Sequence, residues 1–165
     1  MGKRVEEGKL PRVDHRLDRA EGRRIGQSCV CSNVRRTARA VTRLYDEALR
    51  PSGLTGPQFG LLVAVRVLGP VSVTRLAAGA DADRTTLTRN VKLLARDGFV
   101  QVETGRDQRT RQVGLTDKGR EALARALPLW EQAQARVGEV LGAEQTAGLL
   151  ASLSRLVSGL RETVG

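Results

Sequence analysis

Aromatic residues are scarce in this chain of 165 residues: two Phe, one Trp and one Tyr make up 2% of it. A surface that stacks exposed bases on aromatic rings is therefore not expected, and the core falls to Leu, Val and Ala. Histidine occurs once and cysteine twice. That is too few ligands for a four-coordinate zinc site within one chain, and no basis for a disulfide-stapled secreted fold. No run approaches the roughly 18 apolar residues of a membrane span. The basic N-terminus lacks the apolar stretch that makes a secretory signal, so a cytoplasmic protein with no membrane contact is expected. The sequence offers no nucleophile–base pair, no metal cluster and no Gly-rich phosphate loop after a strand. Its one histidine, His15, sits far from any other candidate group. An enzyme is not expected, nor a metal or a cofactor.

What the chain has is positive charge. Lys plus Arg number 28 against 18 Asp plus Glu, a formal net charge of +10. Such an excess favours a polyanionic partner, nucleic acid ahead of a membrane surface. Hydrophobic residues at 40% indicate a folded protein, and the length suits one compact domain with a tail. Residues 1–27 carry eight basic and five acidic residues with no helical apolar period, and read as a disordered basic arm.

From Ser28 to Leu49, Val34, Ala38, Val41, Tyr45 and Ala48 recur at helical spacing. A second helix starts at Thr55-Gly56-Pro57-Gln58, a capping-box spacing, with Phe59, Leu62, Val63 and Val67 as its apolar stripe. Two short helices follow in tandem. Ser72 caps the first, and Asp81-Ala82-Asp83 makes the turn. The second, from Arg84 to Asp97, buries Leu87, Val91 and Leu94 and leaves its polar and basic residues outward. Residues 99–103 and 112–115 read as the strands of a hairpin with a basic tip. Thr116 caps a long helix to Leu141, and a last helix carries a seam of Leu149, Leu153, Leu156 and Leu160 that suits another helix better than water.

Helix, short turn, second helix and basic hairpin form a winged helix-turn-helix pattern. Between Arg84 and Arg111 there are seven basic and three acidic residues. The expected contacts to double-stranded DNA are Arg84, Thr85, Thr86, Thr88, Arg89 and Lys92 on the helix, in the major groove. Arg106, Arg109 and Arg111 extend the site along the hairpin, with Arg109 suited to a minor groove whose negative potential attracts guanidinium. Asp107 orients that arginine or tightens the turn. A sequence-indifferent architectural protein using charge alone is the alternative.

The order of parts resembles the multiple-antibiotic-resistance regulator (MarR) family. The resemblance lies in Gly53-Leu54-Thr55 with Pro57-Gln58, Leu76-Ala77, Leu93 to Val100, Asp107-Gln108-Arg109 and Leu115-Thr116-Asp117-Lys118-Gly119. It implies a mainly α fold with a small β-hairpin wing, dimerising through its N- and C-terminal helices. The division would be an arm (1–27), an N-terminal dimerisation helix (28–54), a winged helix-turn-helix (55–115) and C-terminal dimerisation helices (116–165). It further implies a homodimeric repressor of pseudo-palindromic DNA, released by a small ligand or by thiol oxidation.

Cys31, Arg39, Thr42, Arg43, Tyr45 and Gly53-Leu54-Thr55 are similar to the organic-hydroperoxide branch of that family, although Arg35, Gly56 and Phe59 stand where that branch has tyrosines. Cys31 and Cys29, with Tyr45, are candidate redox sensors, since a helix N-terminus and a nearby guanidinium favour thiolate. As small apolar residues at a dimer seam they would need no such role. An apolar cleft for an unidentified small effector fits Tyr45, Phe59, Val63 and Trp130, which equally suit ordinary core packing.

Overall fold

The computed structural model describes residues 18–80, 84–104 and 111–164, excepting the side chains of residues 79, 80, 84 and 164. They fall into two compact units, divided between Ala40 and Val41.

In the first unit, Asp18 caps α1 (Arg19–Ser28), its carboxylate accepting from the Glu21 N–H at 2.7 Å. The irregular arm expected up to residue 27 is thus helical from residue 19 onward, while residues 1–17 lie outside the described residues. This helix has no buried residue, so it has no apolar stripe to announce it. Cys29 is extended (φ −70°, ψ 107°) and separates α1 from α2 (Val30–Leu49). The single helix expected from Ser28 is therefore two. Ser28 ends the first, its hydroxyl donating to the Arg24 carbonyl at 2.8 Å, and Cys29 precedes the second. Asn33 secures the break. Its Nδ2 donates to the carbonyls of Gln27 at 3.1 Å and Cys29 at 2.9 Å, and Arg36 donates to its Oδ1 at 2.8 Å.

The second unit continues with α3 (Gly56–Leu68), β1 (Val71–Ser72), α4 (Val73–Ala80), α5 (Arg84–Arg96), β2 (Val100–Thr104), β3 (Arg111–Leu115), α6 (Asp117–Leu141) and α7 (Ala143–Val164). Helices predominate over one small antiparallel sheet of order β1-β3-β2. Val113 faces Val102 on one side and Val71 on the other. β1 was not expected, because two residues are too few to show an alternation; pairing with β3 alone defines it.

Local chemistry explains the helix ends. Gln58 Oε1 accepts from the Thr55 N–H at 2.9 Å, the reach-back bond of the expected capping box. Ser72 Oγ accepts from Arg75 N–H at 3.2 Å at the start of α4. Gly98, at φ 77°, ends α5 in a Schellman turn: its N–H bonds Ala95 O at 3.1 Å, and Phe99 N–H bonds Leu94 O at 2.9 Å.

Leu62, Leu76, Leu94 and Val113 are fully enclosed, in a core built between α3, α4, α5, the sheet and α6. α5 buries Leu87, Val91 and Leu94, as its spacing requires. α3 corrects its expected stripe: Phe59, Leu61, Leu62 and Val65 are buried, whereas Val63 is exposed and Val67 is 77% exposed. α3 is apolar on nearly every side, so periodicity could not choose its inner face.

α6 begins against the end of α5. Thr116 Oγ1 accepts from the Gly119 N–H at 3.0 Å and donates to the Gly98 carbonyl at 2.6 Å. A Cβ on Gly119 would lie 2.0 Å from the Phe99 carbonyl oxygen. Backbone cannot yield there as a flexible side chain would. Gly119→Ala should therefore destabilise the protein by about 3 kcal/mol or more, the upper end of overpacking costs. Thermal unfolding should show a midpoint lower by roughly 10 °C; an unchanged midpoint would refute the close approach.

Candidate nucleic-acid interface

α5 is amphipathic in a way that separates two tasks. Leu87, Val91 and Leu94 anchor one side in the core. On the other side Thr85, Thr88, Arg89 and Lys92 line a shallow surface hollow of about 430 Å³. Their i, i+3, i+4, i+7 spacing puts all four on one face. Among the described residues, Arg89, Lys92 and Arg111 form no ion pair, so their charge is not neutralised internally. Thr86 is exposed on the same first turn, and Arg111 opens β3, also exposed. Arg84 is the first residue of α5, but its side chain lies outside the described residues. Arg106, Asp107 and Arg109 also lie outside them, in the segment linking β2 to β3.

A guanidinium, an ammonium and two hydroxyls on a helix that projects from a packed core can donate to phosphate oxygens and to base edges. Helix, helix and a sheet-borne hairpin constitute a winged helix-turn-helix.

The second feature is apolar. Tyr45, Phe59, Val63 and Trp130 surround one hollow of about 530 Å³, together with Val41, Thr42, Gly56, Pro57, Gly60 and Leu127. Phe59 and Trp130 stack, their ring centroids 6.1 Å apart. Tyr45 donates its hydroxyl to Gln134 Oε1, and partial burial raises its pKa. Thr42, Gly60 and Leu127 were not anticipated as lining residues. A Cβ on Gly60 would meet nothing within 4 Å, so a glycine in mid-helix was the one available signal.

In the other unit, Cys29 is half-buried and Cys31 exposed. Hydrogen bonding from the Ser32 hydroxyl, then from the Ser32 backbone N–H, lowers the Cys29 pKa against a smaller opposing effect of burial. The thiol favoured in the structure is thus Cys29, which precedes α2, and Ser32 supplies the stabilising donors rather than Arg35.

The comparisons agree with the fold. The family model described as MarR family matches residues 52–110. The Mycobacterium tuberculosis transcriptional regulator MosR, solved in complex with DNA, is 41% identical; the match covers 81% of this chain and 98% of that one, with a TM-score of 0.71. MarR from Escherichia coli, complexed with operator DNA, has the same fold at 22% identity and a TM-score of 0.73, over 79–81% class coverage of 80% of this chain and 96% of that chain. An uncharacterised helix-turn-helix regulator of Bacillus subtilis, YwoH, is 31% identical over 83 residues, 50% of this chain; the match spans 61% of its length. The chain belongs to the MarR family of transcriptional regulators.

Each contact type has its own signature. Lys92→Ala should weaken binding to specific and random duplexes alike and reduce the salt dependence by about one unit of slope, as loss of a phosphate contact does. Thr85→Ala should instead change the preferred sequence. Fluorescence anisotropy across a salt series separates the two, and reversed behaviour would exchange their assignments.

Proposed function

We propose that the chain acts as a homodimeric, sequence-specific repressor of pseudo-palindromic operators. The outer face of α5 carries this reading: Thr85, Thr88, Arg89 and Lys92 stand together on a helix whose opposite face is core. Arg109 and Arg106 would extend the contact through the wing, with Asp107 supporting it. The chain is read as a binder of DNA rather than an enzyme, and no described helix is long and apolar enough to cross a membrane.

Dimerisation is supported by α7. Every described side chain of this helix except Thr146 is exposed, including Leu149, Leu150, Leu153, Leu156, Val157 and Leu160. A 22-residue helix with such a face needs a partner surface. Each large aliphatic side chain covered there would contribute about 1.5–3 kcal/mol. α2 likewise exposes Val30, Val34 and Val41, in keeping with N- and C-terminal helices forming the dimer. Two winged modules related by a two-fold axis would read half-sites about one helical turn apart.

The signal that releases DNA would enter at the apolar hollow, which offers a small lipophilic effector the walls of Tyr45, Phe59, Val63 and Trp130. A thiol input is the second reading, favoured by the lowered pKa of Cys29.

Selection of bound duplexes from random DNA should recover a pseudo-palindrome, and Arg109→Ala should weaken its binding with the fold intact. Recovery of no motif would leave charge-driven, sequence-indifferent binding as the function. For the thiol, Cys29 in a Cys31→Ser background should alkylate faster at pH 7 than in the same protein carrying Ser32→Ala. A lowered pKa leaves more thiolate at that pH, and the serine substitution raises it again. Equal rates would remove Cys29 from consideration.

A further inference from the structure

We propose that Lys118 is a positioning residue for α5, the helix read above as DNA-contacting, and so rests on that reading: it bolts the C-terminal end of α5 to the first turn of α6. Its Nζ donates to the Asp97 carbonyl at 2.7 Å and stands 5.0 Å from the centre of the Phe99 ring. Its stem runs beside Gly98. Asp97 is the last residue before the Schellman turn, and its carbonyl is one of those a helix end leaves without an intrahelical partner. A cation at that end also complements the helix dipole. The Asp97 carboxylate is already engaged by Arg96 Nε at 2.9 Å, which leaves the carbonyl to Lys118.

The neighbouring contacts make this junction stiff. Thr116 Oγ1 donates to the Gly98 carbonyl, and the Thr116 N–H bonds the Phe99 carbonyl at 3.2 Å. Those bonds hold the turn to α6; Lys118 reaches back one residue further, to the helix itself. Leu87, Val91 and Leu94 fix how deeply α5 sits, but an apolar stripe permits rotation about the helix axis. A directional bond at one end restricts that rotation, and with it the aim of Thr85, Arg89 and Lys92. α6 also lines the apolar hollow through Leu127, nine residues beyond Lys118 and about 14 Å along the helix. The bolt therefore stands on the same helix as the effector walls.

Lys118 is exposed, so Lys118→Met removes the donor, keeps the hydrocarbon stem and opens no cavity. Lys118→Arg retains a cationic donor. Hydrogen exchange on the free protein should show α5 amides exchanging roughly tenfold faster in K118M, with α3 amides unchanged and K118R close to the parent protein. Binding should be measured on the duplex recovered by selection and on a scrambled one. K118M should bind the selected duplex roughly tenfold more weakly, the scrambled duplex equally well, and with the same salt slope. Equal losses on both duplexes with a slope shallower by about one would make Lys118 a phosphate contact and overturn the proposal. Unchanged exchange and affinity would overturn it too. If the parent protein recovers no sequence at all, the regulator reading fails, while the exchange comparison still decides whether Lys118 restrains α5.

Discussion

The second unit depends on one close contact, the meeting of the Phe99 carbonyl with the first turn of α6. There Gly119 has no room for a side chain, and Thr116 bonds both the Gly98 carbonyl and the Gly119 amide. Three structural decisions converge on that point. α5 ends in its Schellman turn, β2 departs at Val100, and α6 leaves immediately after β3. The DNA-contacting helix, the wing and the long helix are therefore held in one frame rather than joined by a loose loop.

That frame allows charge to be concentrated without harm to the fold. Arg89 and Lys92 lie on the outer face of a helix whose inner face is aliphatic core, so their mutual repulsion is screened by solvent and opposed by burial of Leu87, Val91 and Leu94. The same helix is a structural member and a binding surface. The apolar hollow is formed differently, by Tyr45 from α2, Phe59, Gly60 and Val63 from α3, and Leu127 and Trp130 from α6. Three helices meet there without filling the space between them.

α7 shows the opposite economy. It is long, regular and exposed along its apolar face. Isolated helices in water are stabilised mainly by packing, and a seam of Leu at helical spacing is what a second copy of the chain would cover. The proposed dimer and the proposed reading of two half-sites are thus one statement about symmetry.

The sequence by itself determined the tandem helices, the inner stripe of α5, the strands flanking the wing and the caps at Ser72, Thr116 and Gly98. Each is written in residues a few positions apart, where backbone hydrogen bonding and 3.6-residue periodicity act directly. Tertiary structure decided what local patterns leave degenerate. α3 could bury several faces, and only packing chose Phe59, Leu61, Leu62 and Val65 over Val63 and Val67. β1 exists only through its partner β3. The break at Cys29 is secured by Asn33 side-chain bonds to Gln27 and Cys29 carbonyls, which apolar spacing does not encode. Lys118 looked like one more surface lysine until the fold placed the Asp97 carbonyl, 21 residues earlier in the chain, within its reach. Contacts between distant residues depend on where the chain returns in space, and that is fixed only when the core closes.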